Sequence, residues 1–172
     1  RLNRRVAIKF LTGAIGSTAK TQVLDEARAM AGIRHAGIAP VYEVICDGEA
    51  PFLVMGWIDG IELDAAWQNF DLKQRVALIA QIVSAVTELH DVGLLHLDIK
   101  PRNILVDRAG TPVLVDFGLA RASAETPGTS SGGTPGYAAP EQFTHEFAPG
   151  PPSDVHALGV LLFRAMTNQL PW

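Results

Sequence analysis

A single cysteine, Cys46, is all the chain has, so no disulfide can close within it and thiolates alone cannot hold zinc. The lone thiol reads as a small, semi-buried apolar side chain, and its isolation fits a reducing compartment. No apolar run approaches the roughly 18 residues that a membrane-spanning helix needs, and no signal peptide is visible. Basic residues are outnumbered, 14 Lys and Arg against 18 Asp and Glu, for a formal net charge of -4 and a pI near 5.7. That balance removes the electrostatic ground for binding nucleic acid, and Arg1, Arg4 and Arg5 are too few to restore it. His35, His90, His145 and His156 have no metal-ligand spacing. No internal repeat or extended low-complexity tract occurs. An initiator Met is missing as well, and Trp172 closes the chain just after an apolar helix pattern, so a longer parent protein is expected.

What is present suffices for a core: 172 residues at 48% hydrophobic content suit one domain or two small lobes. Val6, Ile8 and Phe10 alternate with Ala7 and Lys9, as in a half-buried strand whose apolar side is the former set. Residues 12–19 are rich in Gly, Ser and Thr and read as a loop. Val23, Ala27, Met30 and Ala31 then recur at helical spacing to about Ile33, with Glu26 beside the stripe. Strands are expected over 41–46 and 52–55 around a tight turn at Asp47-Gly48-Glu49. Gly56, Asp59 and Gly60 break the pattern, which makes 56–60 the best linker between a sheet-rich first part and a helical second part.

Beyond the linker, Asp71 is placed to cap a helix with Gln74 at its third position, and Val76, Ile79, Ala80, Val83 and Val86 form its expected stripe, ending before Gly93. Two short apolar strands, 104–106 and 112–115, flank the turn Asp107-Arg108-Ala109-Gly110. From Arg121 to Gly136 the Ser, Thr, Gly and Pro content predicts a mobile segment. Pro149 to Pro152 reads as irregular, and Ser153 as the cap of a last helix with Leu158, Leu161, Leu162, Ala165 and Met166 on its apolar face.

The chemistry concentrates between His96 and Leu105. Pro101 bars helix there and biases Lys100 toward an extended backbone, so Asp98, Lys100 and Asn103 can face one cleft. An ionised Asp can accept a proton, and a carboxylate with an amide oxygen suits magnesium alongside phosphate oxygens. Asp116 follows a buried strand, a usual place for ligand contacts. Lys9 adds a cation to this set of oxygen ligands.

In order and spacing, Val6-Ala7-Ile8-Lys9, His96-Leu97-Asp98 through Asn103, Asp116-Phe117-Gly118 and Ala139-Pro140-Glu141 resemble the signature set of eukaryotic-like (Hanks-type) protein kinases. The resemblance implies an α+β, bilobal fold: residues 1–55 as part of the N-lobe, 56–60 as hinge and 61–172 as part of a larger helical C-lobe. It implies ATP and Mg2+ as cofactors and a protein Ser or Thr hydroxyl as acceptor. In that family's terms Lys9 would hold the α- and β-phosphates with Glu26 as its helix partner, Asp98 would be the base, and Asn103 and Asp116 would hold magnesium. Lys100 would contact phosphate, and Thr134 would brace Asp98 and Lys100. Met55 would stand behind the adenine, Gly56 and Ile58 would offer backbone hydrogen bonds to it, and Ala7 and Leu105 would sandwich the ring. His96 would be structural, packing with Phe117, and Asp154 would tie down the backbone of the catalytic loop.

Lys100 and the run Gly133-Thr134-Pro135-Gly136-Tyr137 resemble the serine/threonine class, and Pro140-Glu141-Gln142 the bacterial type. The family's glycine-rich loop has no counterpart before Lys9, and the later helices, with the arginine that would meet Glu141, have none after Trp172. The isolated stretch is therefore expected to be a weak or inactive enzyme. Leu97 stands where the family usually has an arginine that binds a phosphate on the activation segment. Activity is thus expected to depend less on modification of Thr126, Thr129, Ser130 or Ser131. A cytoplasmic catalytic domain is expected, with any membrane anchor of the parent lying elsewhere. The alternatives are a pseudokinase or ATP-binding scaffold, and a small-molecule phosphotransferase of related fold.

Overall fold

A computed structural model describes residues 4–10, 25, 27–46, 51–116, 134–144 and 148–172. The expected turn at 47–49, the Gly/Ser/Thr-rich 12–19, Glu26, Phe117 and most of 121–136 lie outside the described residues. Strand β1 (Val6–Phe10) is followed by helix α1 over 27–32, then β2 (Val41–Ile45) and β3 (Phe52–Gly56). The three strands form an antiparallel sheet in the order β1-β3-β2, with Lys9 opposite Leu53 and Ala7 opposite Met55. Ala27 and Met30 of α1 are buried in the same core as Leu53 and Met55.

Of the two faces that alternation assigns to β1, the structure covers the one with Lys9. Ile8 and Phe10 are 55% and 59% exposed, while Ala7 and Lys9 take the partly buried side. Alternation fixes only which residues share a face, and here the face carrying the lysine stem is the inner one.

The connection after β3 is shorter than expected, because Gly56 still belongs to β3 and Gly60 opens β4 (Gly60–Glu62), leaving 57–59 irregular. β4 pairs with β5 (Ile104–Asp107), which pairs with β6 (Pro112–Leu114), all antiparallel. The β5–β6 turn forms as its residues dictate: the Asp107 carboxylate accepts from the N–H groups of Ala109 and Thr111, and Gly110 supplies φ +84°. A one-residue parallel bridge, Ile38 to Leu114, ties the segment after α1 to β6.

Short helix α2 (Leu63–Ala66) leads to α3 (Leu72–Asp91), whose Asp71 cap is reciprocal: Asp71 accepts from Gln74 N at 2.8 Å and Gln74 Oε1 accepts from Asp71 N at 2.9 Å. The buried face of α3 is Leu78, Ile79, Ile82, Ala85, Val86 and Leu89, which shares Ile79 and Val86 with the expected stripe, whereas Ala80 is exposed and Val76 and Val83 are each 41% exposed. Valines lie on both sides of this helix, so the tighter i, i+3, i+4, i+7 series decides which side packs.

α4 (Pro151–Thr167) begins earlier than expected. Gly150 holds the cap position, Pro151 and Pro152 occupy the first turn where no N–H is needed, and Ser153 sits at the third position with Oγ accepting from Gly150 N at 3.1 Å. Its buried residues include Ala157, Leu158, Val160, Leu161 and Ala165, whereas Leu162 and Met166 face outward. α3 and α4 pack together, and Arg75 bridges them: its Nε donates to the carbonyls of Trp67 and Phe70, and its Nη1 to Ala165 O and Asn168 Oδ1.

Candidate active site

The loop from His96 to Asn103 enters from α3 and leaves into β5, and its backbone is held by buried side chains. Asp154 of α4, 1% exposed, accepts from His96 N at 2.9 Å, Leu97 N at 2.7 Å and His90 Nε2 at 2.9 Å. A carboxylate this deep is tolerable only with its lone pairs filled, and here three donors fill them. Its place is therefore as the sequence reading expected. His90 and Gln142 were missed as parts of the site. His90 had no motif to mark it and Gln142 stood in the Pro140-Glu141-Gln142 run without a role, since each acts by reaching a group distant in sequence.

Leu97 adopts φ +58°, and Asp116 φ +62°. Aspartate tolerates the left-handed region, but for leucine it costs about 1–2 kcal/mol, which the surrounding bonds must offset.

Asp98, Lys100, Asn103 and Thr134 come together as one hydrogen-bonded group. Lys100 Nζ donates to Asp98 Oδ2 at 2.8 Å and lies 2.7 Å from Thr134 Oγ1, which itself donates to Asp98 Oδ1 at 2.9 Å. Asn103, 3% exposed, turns its Nδ2 to Asp98 O and Asp98 Oδ2, both at 2.9 Å. Two acceptors on one side fix the amide, so its Oδ1 is the atom that can ligate a cation. Asn103 O accepts from Val115 N at 2.9 Å, which sets Asp116 beside the loop. Asp116 Oδ1 lies 2.6 Å from Lys9 Nζ, bringing the lysine of β1 into contact with the acid just past β6. Glu26, the expected partner of Lys9, lies outside the described residues.

A cleft of about 410 Å³ opens between the sheets, within the size range of small-molecule sites. Ala7, Met55, Ile58 and Leu105 give it apolar walls, and Lys9 and Asp116 line it too. Gly56 also lines it, but its N–H donates to Pro40 O at 2.8 Å, so only its carbonyl can turn to a base. The close approach explains the glycine, for a Cβ there would stand 2.8 Å from Pro40 Cγ. Among the described residues no cluster of three or more His, Cys, Asp or Glu could hold a metal ion. An amide oxygen and one carboxylate fit a cation whose other ligands are phosphate oxygens and water, the habit of magnesium.

His96 is fully buried, which pushes its imidazole below its ordinary value despite the nearby Asp154 and Asp98 charges. Its Nδ1 accepts from Asp98 N at 3.3 Å. Glu141 is held below its ordinary value chiefly by Ser153, whose Oγ donates to it at 2.6 Å.

A strand lysine, a loop acid with lysine, asparagine and threonine around it, and a second acid across the cleft are the features that define the protein kinase domain, and the chain belongs to that family: its family model matches residues 1–172. The serine/threonine-protein kinase PknL of Mycobacterium tuberculosis is 36% identical over 180 residues, taking in 100% of this chain and 45% of the relative. PknA of the same species is 34% identical over 186 residues, across 100% of this chain and 43% of its own length. A probable serine/threonine-protein kinase PknB of Lactococcus lactis is 34% identical over 178 residues, 99% of this chain and 28% of that protein. The chain thus spans less than half the length of these curated relatives. Among solved structures the apo form of PpkA-294 is similar, with a TM-score of 0.75 and 26% identity over 98% of this chain and 68% of that one. The fold is the α+β kinase fold that the motifs implied. No helix among the described residues is long and apolar enough to cross a membrane.

Proposed function

We propose that the chain is the catalytic part of a serine/threonine protein kinase, with residues 1–55 and 61–172 as lobes, 56–60 as hinge, and a cytoplasmic location for the catalytic domain. It would transfer the γ-phosphoryl group of ATP to a protein hydroxyl. The observation that carries this is the group built on Asp98. Thr134 occupies one carboxylate oxygen, and Lys100 and Asn103 occupy the other. So held, Asp98 is oriented to accept the proton of a Ser or Thr hydroxyl, and Lys100 is positioned to meet the transferred phosphate. Lys9 would hold the α- and β-phosphates, with Glu26 steadying it. Asn103 and Asp116 would hold Mg2+. That ion, when bound, neutralises charge on the phosphates. Ala7 and Leu105 would enclose the adenine, with Met55 behind it and the Gly56 carbonyl and Ile58 backbone as its polar contacts.

The test is to incubate the parent protein with magnesium and γ-labelled ATP beside its Asp116→Ala variant. Labelled phosphoserine or phosphothreonine from the parent and its loss in the variant are expected. No labelling by either would leave an ATP-binding scaffold, and equal labelling by both would remove the assignment of Asp116.

A further inference from the structure

Leu97 is clamped at both ends of its peptide units by buried side chains from different elements. Its N–H donates to Asp154 Oδ1 at 2.7 Å, and its carbonyl accepts from Gln142 Nε2 at 2.8 Å. Gln142 and Asp154 are each 1% exposed. The amide of Gln142 has one possible orientation, because its Oε1 accepts from Ala139 N at 3.1 Å and its nitrogen must then face Leu97. The two clamps are themselves joined one residue away, where Ser153 Oγ donates to Glu141 Oε1 at 2.6 Å. A closed ring results: Leu97, Asp154, Ser153, Glu141, Gln142 and back to Leu97.

The ring matters because the Leu97 carbonyl shares a peptide plane with the N–H of Asp98. Gln142 holds one edge of that plane and His96 Nδ1, at 3.3 Å from Asp98 N, holds the other. The plane sets the direction in which the Asp98 side chain leaves the backbone. It is not at rest, since Leu97 stands at φ +58°, a conformation that a leucine adopts only under external constraint. A ring opened at Gln142 would let the plane rotate.

We propose that Gln142 is a positioning residue for phosphoryl transfer: by holding the Leu97 carbonyl it fixes the left-handed backbone that aims Asp98 at the acceptor hydroxyl. The inference rests on the kinase reading above. It differs from a packing role in what it forecasts, because Gln142 is not among the residues that line the nucleotide cleft.

The experiment uses the full-length protein and its Gln142→Met variant, which keeps the volume and removes the donor. A casein substrate and magnesium ATP give kcat and KM, and hydrogen exchange is followed on the peptide covering residues 96–100. Loss of the clamp is expected to lower kcat by about ten- to a hundredfold. The KM for ATP should stay within about twofold, and exchange at 96–100 should quicken. Adding Leu97→Asn, a residue more tolerant of positive φ, should recover part of kcat. Gln142→Asn, one carbon shorter, serves as a second variant should the first fail to fold. Unchanged kcat and exchange, a rise in KM with kcat intact, or no recovery by Leu97→Asn would overturn the proposal. Absence of transfer by the unaltered protein would remove the kinase reading and this inference with it, whereas normal transfer with an indifferent Gln142 would remove this inference alone.

Discussion

His96 lies fully buried with its imidazole pushed below its ordinary value of 6.5 by desolvation. An unfolded chain would take up a proton as the pH drops through that value while the native ring stays neutral, so the unfolded state gains protons first. Stability should therefore fall as the pH drops below about 6.5, until the lower native value is reached. Glu141 acts in a separate window: Ser153 holds it below its ordinary 4.5, so its contribution is present above that value and is lost as the pH falls through the lower native one. Urea unfolding at a series of pH values checks this, and the His96→Asn variant should show a flatter slope just below about pH 6.5 whatever its absolute stability. The motif residues Asp98, Lys100, Asn103, Asp116 and Lys9 were readable in the sequence because each is a reactive group at a family spacing. His90, Gln142 and Ser153 were not, because nothing local records that a His, Gln or Ser will meet a partner 64, 45 or 12 positions away.

At the scale of elements, strand and helix existence followed from period and caps, and the reciprocal Asp71–Gln74 cap formed as read. Facing did not follow so well. β1 and α3 each carry apolar residues on more than one side, and only the neighbouring layer decides which side is covered. The start of α4 was misread because Ser153 looks like a cap, while two prolines before it are themselves good first-turn residues. Gly60 illustrates a constraint that no pattern reveals. A Cβ at that position would stand 2.5 Å from Val106 O in the paired strand. Gly60→Ala is expected to push β4 off β5 and cost about 1–3 kcal/mol, read as a lower thermal midpoint.

Across the whole molecule, the helical part is joined by arginines as much as by its apolar core. Arg75 links the residues before α3 to the end of α4 through its four hydrogen bonds, three of them to backbone carbonyls. Arg164 reaches Asp64 at 2.8 Å and donates to the Tyr137 hydroxyl, so α4, α2 and the segment after Thr134 meet at one guanidinium. Arg75→Met keeps most of the stem and removes the donors, depriving three backbone carbonyls of a hydrogen bond each. A loss of about 2–3 kcal/mol is expected, seen as a lower urea midpoint at unchanged slope.

The contact between Gly56 and Pro40 bears on how such a chain can drift. A side chain cannot be added at position 56 while the pyrrolidine ring stays where it is, since the two would overlap at 2.8 Å. A smaller residue at position 40 opens that space. The two sites, sixteen positions apart and on different strands' flanks, are thus coupled: Gly56→Ala is expected to cost more stability beside Pro40 than beside Pro40→Ala, read as a non-additive shift in thermal midpoint.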